Sequence, residues 1–240
     1  MRLNGHRVLD YSCRAMSRVP EINGASIVLT GSFNPAIFQP QWFVRQNILP
    51  EAEAEAAKNL VVIAQQGAQV CDFETERFRI QVTTDRFMVM SKAASNPVPI
   101  RDVVLGTFFV LEHTPATALG LNRHMHFHLD SVEEWHQLGD RLAPKDGWKG
   151  VLKGGRPGMR SLLIQSSLDS SENPEAPQLY VKVEPSTQVK QGAYFETNES
   201  YSFAKDTPLK TIMDIVRGRW EEAYNHAAEI AAYILDWARK

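Results

Sequence analysis

The 240-residue chain has only two cysteines, Cys13 and Cys71. Two are too few for a disulfide framework, and neither lies in a CxxC or His-spaced ligand pattern, so a reducing compartment is expected. No window approaches the roughly twenty apolar residues that a membrane span requires. Met1 to Pro20 holds Arg2, Arg7, Arg14 and Arg18 but no apolar stretch of about seven residues, the minimum for a secretory signal. The expectation is a cytoplasmic chain with no membrane partner. Charge of one sign is also lacking: 26 Lys and Arg stand against 28 Asp and Glu, a net charge of −2. No global field therefore drives binding to nucleic acid or anionic lipid. Catalytic signatures are missing as well. Ser32 sits in Gly31-Ser-Phe without the second glycine of a nucleophile elbow, Cys71 lies in an apolar run that suits an inert core thiol, and no carboxylate pair stands out as acid and base.

What is present is ordinary globular composition, 43% hydrophobic and 22% charged, which excludes a disordered chain, a collagen-like repeat and a coiled coil. The length suits one large domain or two intimate halves sharing a core. Ser26 to Thr30 reads as a strand. Asn34-Pro35 then signals a helix start, and Ile37, Phe38, Trp42 and Phe43 fall near helical spacing in a short helix interrupted by Pro40. Leu60 to Ile63, Val70 to Phe73, Phe78/Ile80/Val82 and Phe87 to Met90 form a meander of three or four antiparallel strands. Ile100, Val103, Val104, Phe108 and Leu111 then keep the i, i+3, i+4 rhythm of a helix with one buried stripe.

The order starts again at Leu119 to Leu129, an alternating strand, followed by a helix capped by Asp130 or Ser131 that carries Val132, Trp135 and Leu138. Met159 to Leu168, Gln178 to Val183 and Ala193 to Phe203 supply further strands. A long helix runs from Thr207 or Pro208 to the terminus, with Leu209, Ile212, Met213, Val216, Trp220, Ala223, Tyr224, Ala227, Ala231 and Ile234 on one face. Phe33, Trp42 and Pro50 match Phe127, Trp135 and Pro144 in spacing. The reading is α+β: an N-terminal segment 1–25, a first half 26–117 and a second half 118–240 that ends in the long helix. Each half is strand, short helix, antiparallel meander and long helix, with its sheet backed by helices. This element order resembles the duplicated saddle of the TATA-binding protein over roughly residues 26 to 239. In that family Lys, Arg and paired Phe wedges on the concave sheet bend DNA. The resemblance implies the architecture and not the DNA function, because no residue motif is shared and this chain is slightly acidic. Gly120-Leu121-Asn122 and Tyr224 to Ile234 are similar to segments of a sporadically distributed bacterial family with no established activity.

Three places invite chemistry. His124, His126 and His128 project from one face of a strand and are a candidate site for a metal, the one cofactor considered, with Glu133 or Glu134 as general base. Against this, same-face neighbours on one strand stand roughly 6.6–7 Å apart and converge on one ion only where the strand bends. From Arg141 to Arg160 there are six basic residues against one acid, Asp146. Within that segment Lys149, Lys153, Arg156 and Arg160 surround glycines able to present N–H groups to an anion or nucleic acid. Finally, Phe38, Trp42 and Phe43 crowd a short segment, and Tyr233, Ile234 and Trp237 carry the apolar stripe almost to the chain end. Both clusters are candidate partner interfaces or self-association surfaces. The leading functional expectation is a non-enzymatic binding or assembly protein acting through protein–protein contacts. A metal-dependent enzyme built on the histidine strand and a nucleic-acid-binding protein are the alternatives.

Overall fold

The computed structural model describes residues 18–65, 68–91, 98–148, 150–152, 154–155, 157–167 and 176–240. The elements run β1 (Ile22–Gly31), a 3-10 turn (Pro35–Ile37), α1 (Pro40–Arg45), α2 (Glu51–Glu55), β2 (Lys58–Gln65), β3 (Ala68–Glu74), β4 (Phe78–Thr83) and β5 (Arg86–Ser91). They continue with α3 (Val98–Val110), β6 (Ala116–His128), α4 (Val132–Leu142), β7 (Leu162–Ser167), β8 (Gln178–Pro185), β9 (Gly192–Ser202) and α5 (Leu209–Arg239). The fold is α+β. All nine strands join one antiparallel sheet in the order β2-β3-β4-β5-β1-β6-β9-β8-β7. β1 and β6 lie at the centre, paired from Ile22↔His126 to Thr30↔Ala118. The other described strands are laid outward from that seam, β5 to β2 on one side and β9 to β7 on the other.

Period-two alternation assigns the faces. Ala25, Ile27 and Leu29 of β1, Ile80 and Val82 of β4, Phe87 and Val89 of β5, and Leu119 and Leu121 of β6 all turn to one side. There they form a single apolar cluster with Phe43 of α1, Val104 and Phe108 of α3, and Ile212, Val216 and Trp220 of α5. A smaller cluster gathers Met125, Phe127, Val183 and Phe195 under Leu138 of α4 and Ala227, Ala231 and Leu235 of α5. Both clusters lie on the same side of the sheet. A polar belt separates them. Arg123 and its register partner Thr197, then Glu199, occupy core-side positions. Arg219 of α5 reaches Glu199 with Nε 3.1 Å and Nη2 3.3 Å from its carboxylate oxygens, and the Tyr201 hydroxyl donates to the same carboxylate.

Local chemistry explains where the segments turn. Asn34 caps the 3-10 turn through Oδ1, which accepts from the Ala36 N–H at 3.2 Å. Pro40 does not interrupt a helix as its position suggested: it starts α1, where its missing N–H costs nothing and its fixed φ suits the first turn. Of the two candidate caps, Ser131 takes the role, its Oγ accepting from the Glu134 N–H at 3.0 Å. At the bulge between Thr30 and Gly31 a Cβ would lie 2.2 Å from the Pro115 oxygen, so glycine is required there. The end of α5 also differs from expectation. Its buried stripe continues through Leu235 and Ala238, and Tyr233 and Trp237 flank it at 60% and 40% exposure. A 3.6-residue period had left both sets near one face. No described helix is long and apolar enough to cross a membrane.

Candidate binding face on the open side of the sheet

Because both apolar clusters occupy one side, the even-numbered positions of β6, β8 and β9 face away from the helices. One register row crosses all nine described strands: Lys58, Glu74, Arg79, Met90, Ser26, Asn122, Asn198, Tyr180, Gln165. The next row on the β6 side holds Gly24, His124, Glu196 and Lys182, and the one after it Ile22, His126, Tyr194 and Glu184. Small residues at Gly24, Ser26 and Gly120 keep the centre of the face low. Asn198 Oδ1 lies buried there without a hydrogen-bond partner among the described residues, and an orphan acceptor is a source of binding energy for any donor that reaches it.

The three histidines share this face, as their spacing predicted, but each Nδ1 has its own partner. His124 Nδ1 is 2.9 Å from Tyr194 Oη, His126 Nδ1 is 2.8 Å from Ser186 Oγ, and His128 Nδ1 is 3.0 Å from the Lys190 carbonyl. These partners fix the tautomers. Tyr194 donates to Glu196 Oε2 at 3.1 Å and so accepts from a His124 Nδ1–H. Ser186 Oγ accepts from the N–H groups of Gln188 and Val189, which leaves its hydrogen for His126 Nδ1. The Lys190 carbonyl can only accept, so His128 carries its proton on Nδ1. Burial holds His124 below its usual 6.5, opposed by Glu196 and reinforced by Lys182. His126 is lowered too, by burial and then by His124. Tyr194, at 4.7 Å between ring centroids from His126, is raised by burial and by Glu196. Among the described residues no three His, Cys, Asp or Glu side chains are placed to hold a metal ion. The imidazoles follow the strand spacing and do not converge.

No family model and no curated protein matches the chain. The functional reading therefore rests on the geometry.

The other sequence candidates divide. In the basic segment, Lys149, Lys153 and Arg156 lie outside the described residues. Arg141 donates through Nη1 to the Trp237 carbonyl at 3.0 Å. Lys145 closes the C-terminus of α4 by donating to the Gly139 carbonyl at 2.7 Å and to that of Ala143. Arg160 is exposed and helps hold the Glu184 carboxyl below its usual range; burial opposes that shift, and Ser161 and Lys182 contribute to it more strongly. Gly150, Gly154 and Gly155 take φ of 105°, 84° and 75°, which side chains beyond glycine resist. The aromatic cluster after β1 is covered by its own half. Phe38 and Phe43 are 1% and 0% exposed, with Phe38 5.4 Å from Phe87 and Phe43 5.8 Å from Phe73 between centroids; Trp42 is half-buried beside them. As partner-surface residues Phe38 and Phe43 are ruled out, because packing against β5 and β3 already removes them from water. Cys71 donates to the Phe38 carbonyl, and burial pushes its thiol up to about 11, as suits an inert core cysteine. A cleft of about 280 Å³ between α4 and β8, lined by Trp135, Leu138, Met159 and Val183 among others, falls at the small end of ligand-pocket sizes.

Sequence reading missed Tyr180, Lys182, Tyr194, Glu196 and Asn198 as members of one face. The signal was there: each alternates with Val181, Val183, Ala193, Phe195 or Thr197.

Proposed function

We propose that the protein is a binding module that docks another protein on the open face of its sheet. The observation that carries this reading is the one-sided placement of the apolar clusters, which leaves a broad, mixed polar and aromatic surface centred on β1, β6, β9 and β8. Its charges favour a protein over a polyanion. Arg79 is held bidentately by Asp72 at 3.0 and 2.7 Å. Lys182 lies 3.2 Å from Glu184 and 3.7 Å from Glu196, and the depressed values of His124 and His126 keep both rings neutral at pH 7. The cations near the centre of the face are thus already engaged, and the exposed Arg86 and Lys58 stand toward its β2 side, away from β6, β9 and β8. Tyr and Asn supply the amphipathic and adaptable contacts common at protein interfaces. Strand order running outward from a central pair supports kinship with the duplicated saddle as architecture alone.

The test is site-specific photo-crosslinking in the native host, with the probe at Tyr180 on the open face and, as control, at Glu229 on the outer side of α5. A discrete heavier adduct from Tyr180 and none from Glu229 is expected, and Lys182→Glu should remove it. Equal adducts from both positions, or none from Tyr180, would overturn the reading.

A further inference from the structure

We propose that the free edge of β7 is a self-pairing edge through which two copies of this chain join their sheets. Among the described residues β7 bonds to β8 alone and ends the sheet, so its outer edge offers N–H and C=O groups for pairing. Five of its six residues are exposed, among them Leu163 at 61% and Ile164 at 52%. The strand Leu-Leu-Ile-Gln-Ser-Ser has no charge and no proline, and its register with β8 runs unbroken from Leu162↔Val183 to Ser167↔Gln178. The opposite edge is protected in the way edges usually are. β2 begins with Lys58, and its register slips between Lys58 and Val61. One edge of the sheet is blunted and the other is not.

The strand order adds a second, independent observation. Outward from the central pair the first half places β5, β4, β3 and β2, whereas the second places β9, β8 and β7. No described strand takes the position outside β7 that corresponds to β2, and β7 of a second copy fills it reciprocally about a two-fold axis. A second copy fits this edge because the strand is complementary to itself. In the antiparallel register that sets Leu163 opposite Leu163 of the other copy, Leu162 of each faces Ile164 of the other. Apolar pairs then form on both sides of the sheet, at the 4.5–5.5 Å spacing of directly opposed residues. An uncharged strand brings no like charges together at the axis. This edge borders the open face but joins through the backbone of β7, whereas docking uses the side chains of β1, β6, β9 and β8, so either proposal can fail without the other.

The experiment is analytical ultracentrifugation of the full chain over a range of concentrations. A concentration-dependent doubling from 27.1 kDa is expected. Leu163→Lys and Ile164→Lys should each raise the dimer Kd roughly tenfold or more, with melting curves unchanged at concentrations where the parent chain is monomeric, because both side chains face solvent. A chain that stays monomeric at the highest concentration, or a dimer whose Kd neither variant moves, overturns the proposal. The register has its own check in a Cys13→Ser background. Diamide takes the two thiol hydrogens and becomes the hydrazine as the disulfide forms. Leu163→Cys should then link two copies on a non-reducing gel, and Gln165→Cys should not; equal linking by both overturns the stated pairing.

Discussion

Replacing Arg123 by methionine should leave the protein about as stable as it is now, although Arg123 makes some of the best-placed contacts in the core. The residue is 8% exposed, and its guanidinium donates from Nη1 to the Tyr224 carbonyl at 2.7 Å and from Nε to Asn23 Oδ1 at 3.2 Å and lies 3.8 Å from the centroid of the Tyr224 ring. No carboxylate among the described residues pairs with it, and burial holds its pKa below the ordinary value, opposed by Tyr224. A hydrogen bond from a charged group contributes about 1.5–3 kcal/mol, and a desolvated cation–π contact up to about 2 kcal/mol. Taking the guanidinium out of water costs several kcal/mol, so the opposing effects nearly cancel. Methionine keeps the stem and most of the volume without the charge, so Arg123→Met should change stability by less than about 1.5 kcal/mol in either direction. Arg123→Ala opens a cavity and should cost about 2–4 kcal/mol. Urea unfolding followed by tryptophan fluorescence measures both, with buried Trp220 one helical turn from Tyr224 as the local probe. A methionine variant that loses more than about 3 kcal/mol would refute the reasoning and make the guanidinium a net anchor of α5.

Acid should weaken the fold through His124 and His126. Both are held below 6.5 in the folded protein, so the unfolded chain takes up protons first. Stability is then full above pH 6.5 and falls by up to about 1.4 kcal/mol per pH unit for each ring as pH drops toward the folded values. His124→Gln with His126→Gln should flatten that slope in melts between neutral and mildly acidic pH, and an unchanged slope would refute it. Two glycine substitutions should move in opposite directions. Gly31→Ala drives a Cβ onto the Pro115 oxygen and the Ala116 Cα and should cost about 2–4 kcal/mol. Gly218→Ala, in mid-helix with nothing within 4 Å of the new carbon, should stabilise by about 0.5–1 kcal/mol. Thermal melts of the two variants check both signs.

Most of the architecture was legible because its signals are local. The alternation in Phe78/Ile80/Val82 and the 3.6-residue stripe from Leu209 to Ala231 each name an element without knowledge of its neighbours. Pro40 was read as a break because a proline is equally at home just before a helix and at its first position, and only the chain's path separates the two. Tyr233 and Trp237 were misplaced because a 31-residue helix drifts against any short repeat, and the choice between Ile234 and Leu235 depends on what lies across from α5. The histidine face was read correctly as a face. Its chemistry was not legible, because the partners of His124 and His126 are Tyr194 and Ser186, 70 and 60 residues away. A lone arginine such as Arg123, set among Leu121, Met125 and Phe127, resembles an exposed strand residue until the opposite wall of the core is known.

The polar belt between the two apolar clusters divides the molecule energetically while the sheet keeps it whole. The smaller cluster, around Met125, Phe195 and Ala231, can open without dissolving the larger one around Ile27, Phe87 and Trp220. β6 and α5 are the main elements common to both. Amides in the last turns of α5, from Ala227 to Ala238, should therefore exchange with solvent through a partial opening that they share with α4 and β8. Those from Met213 to Trp220, beyond the unbonded first turn, should exchange only when the whole chain unfolds. A single long helix would then carry two exchange regimes, with the boundary where Arg123 meets Tyr224.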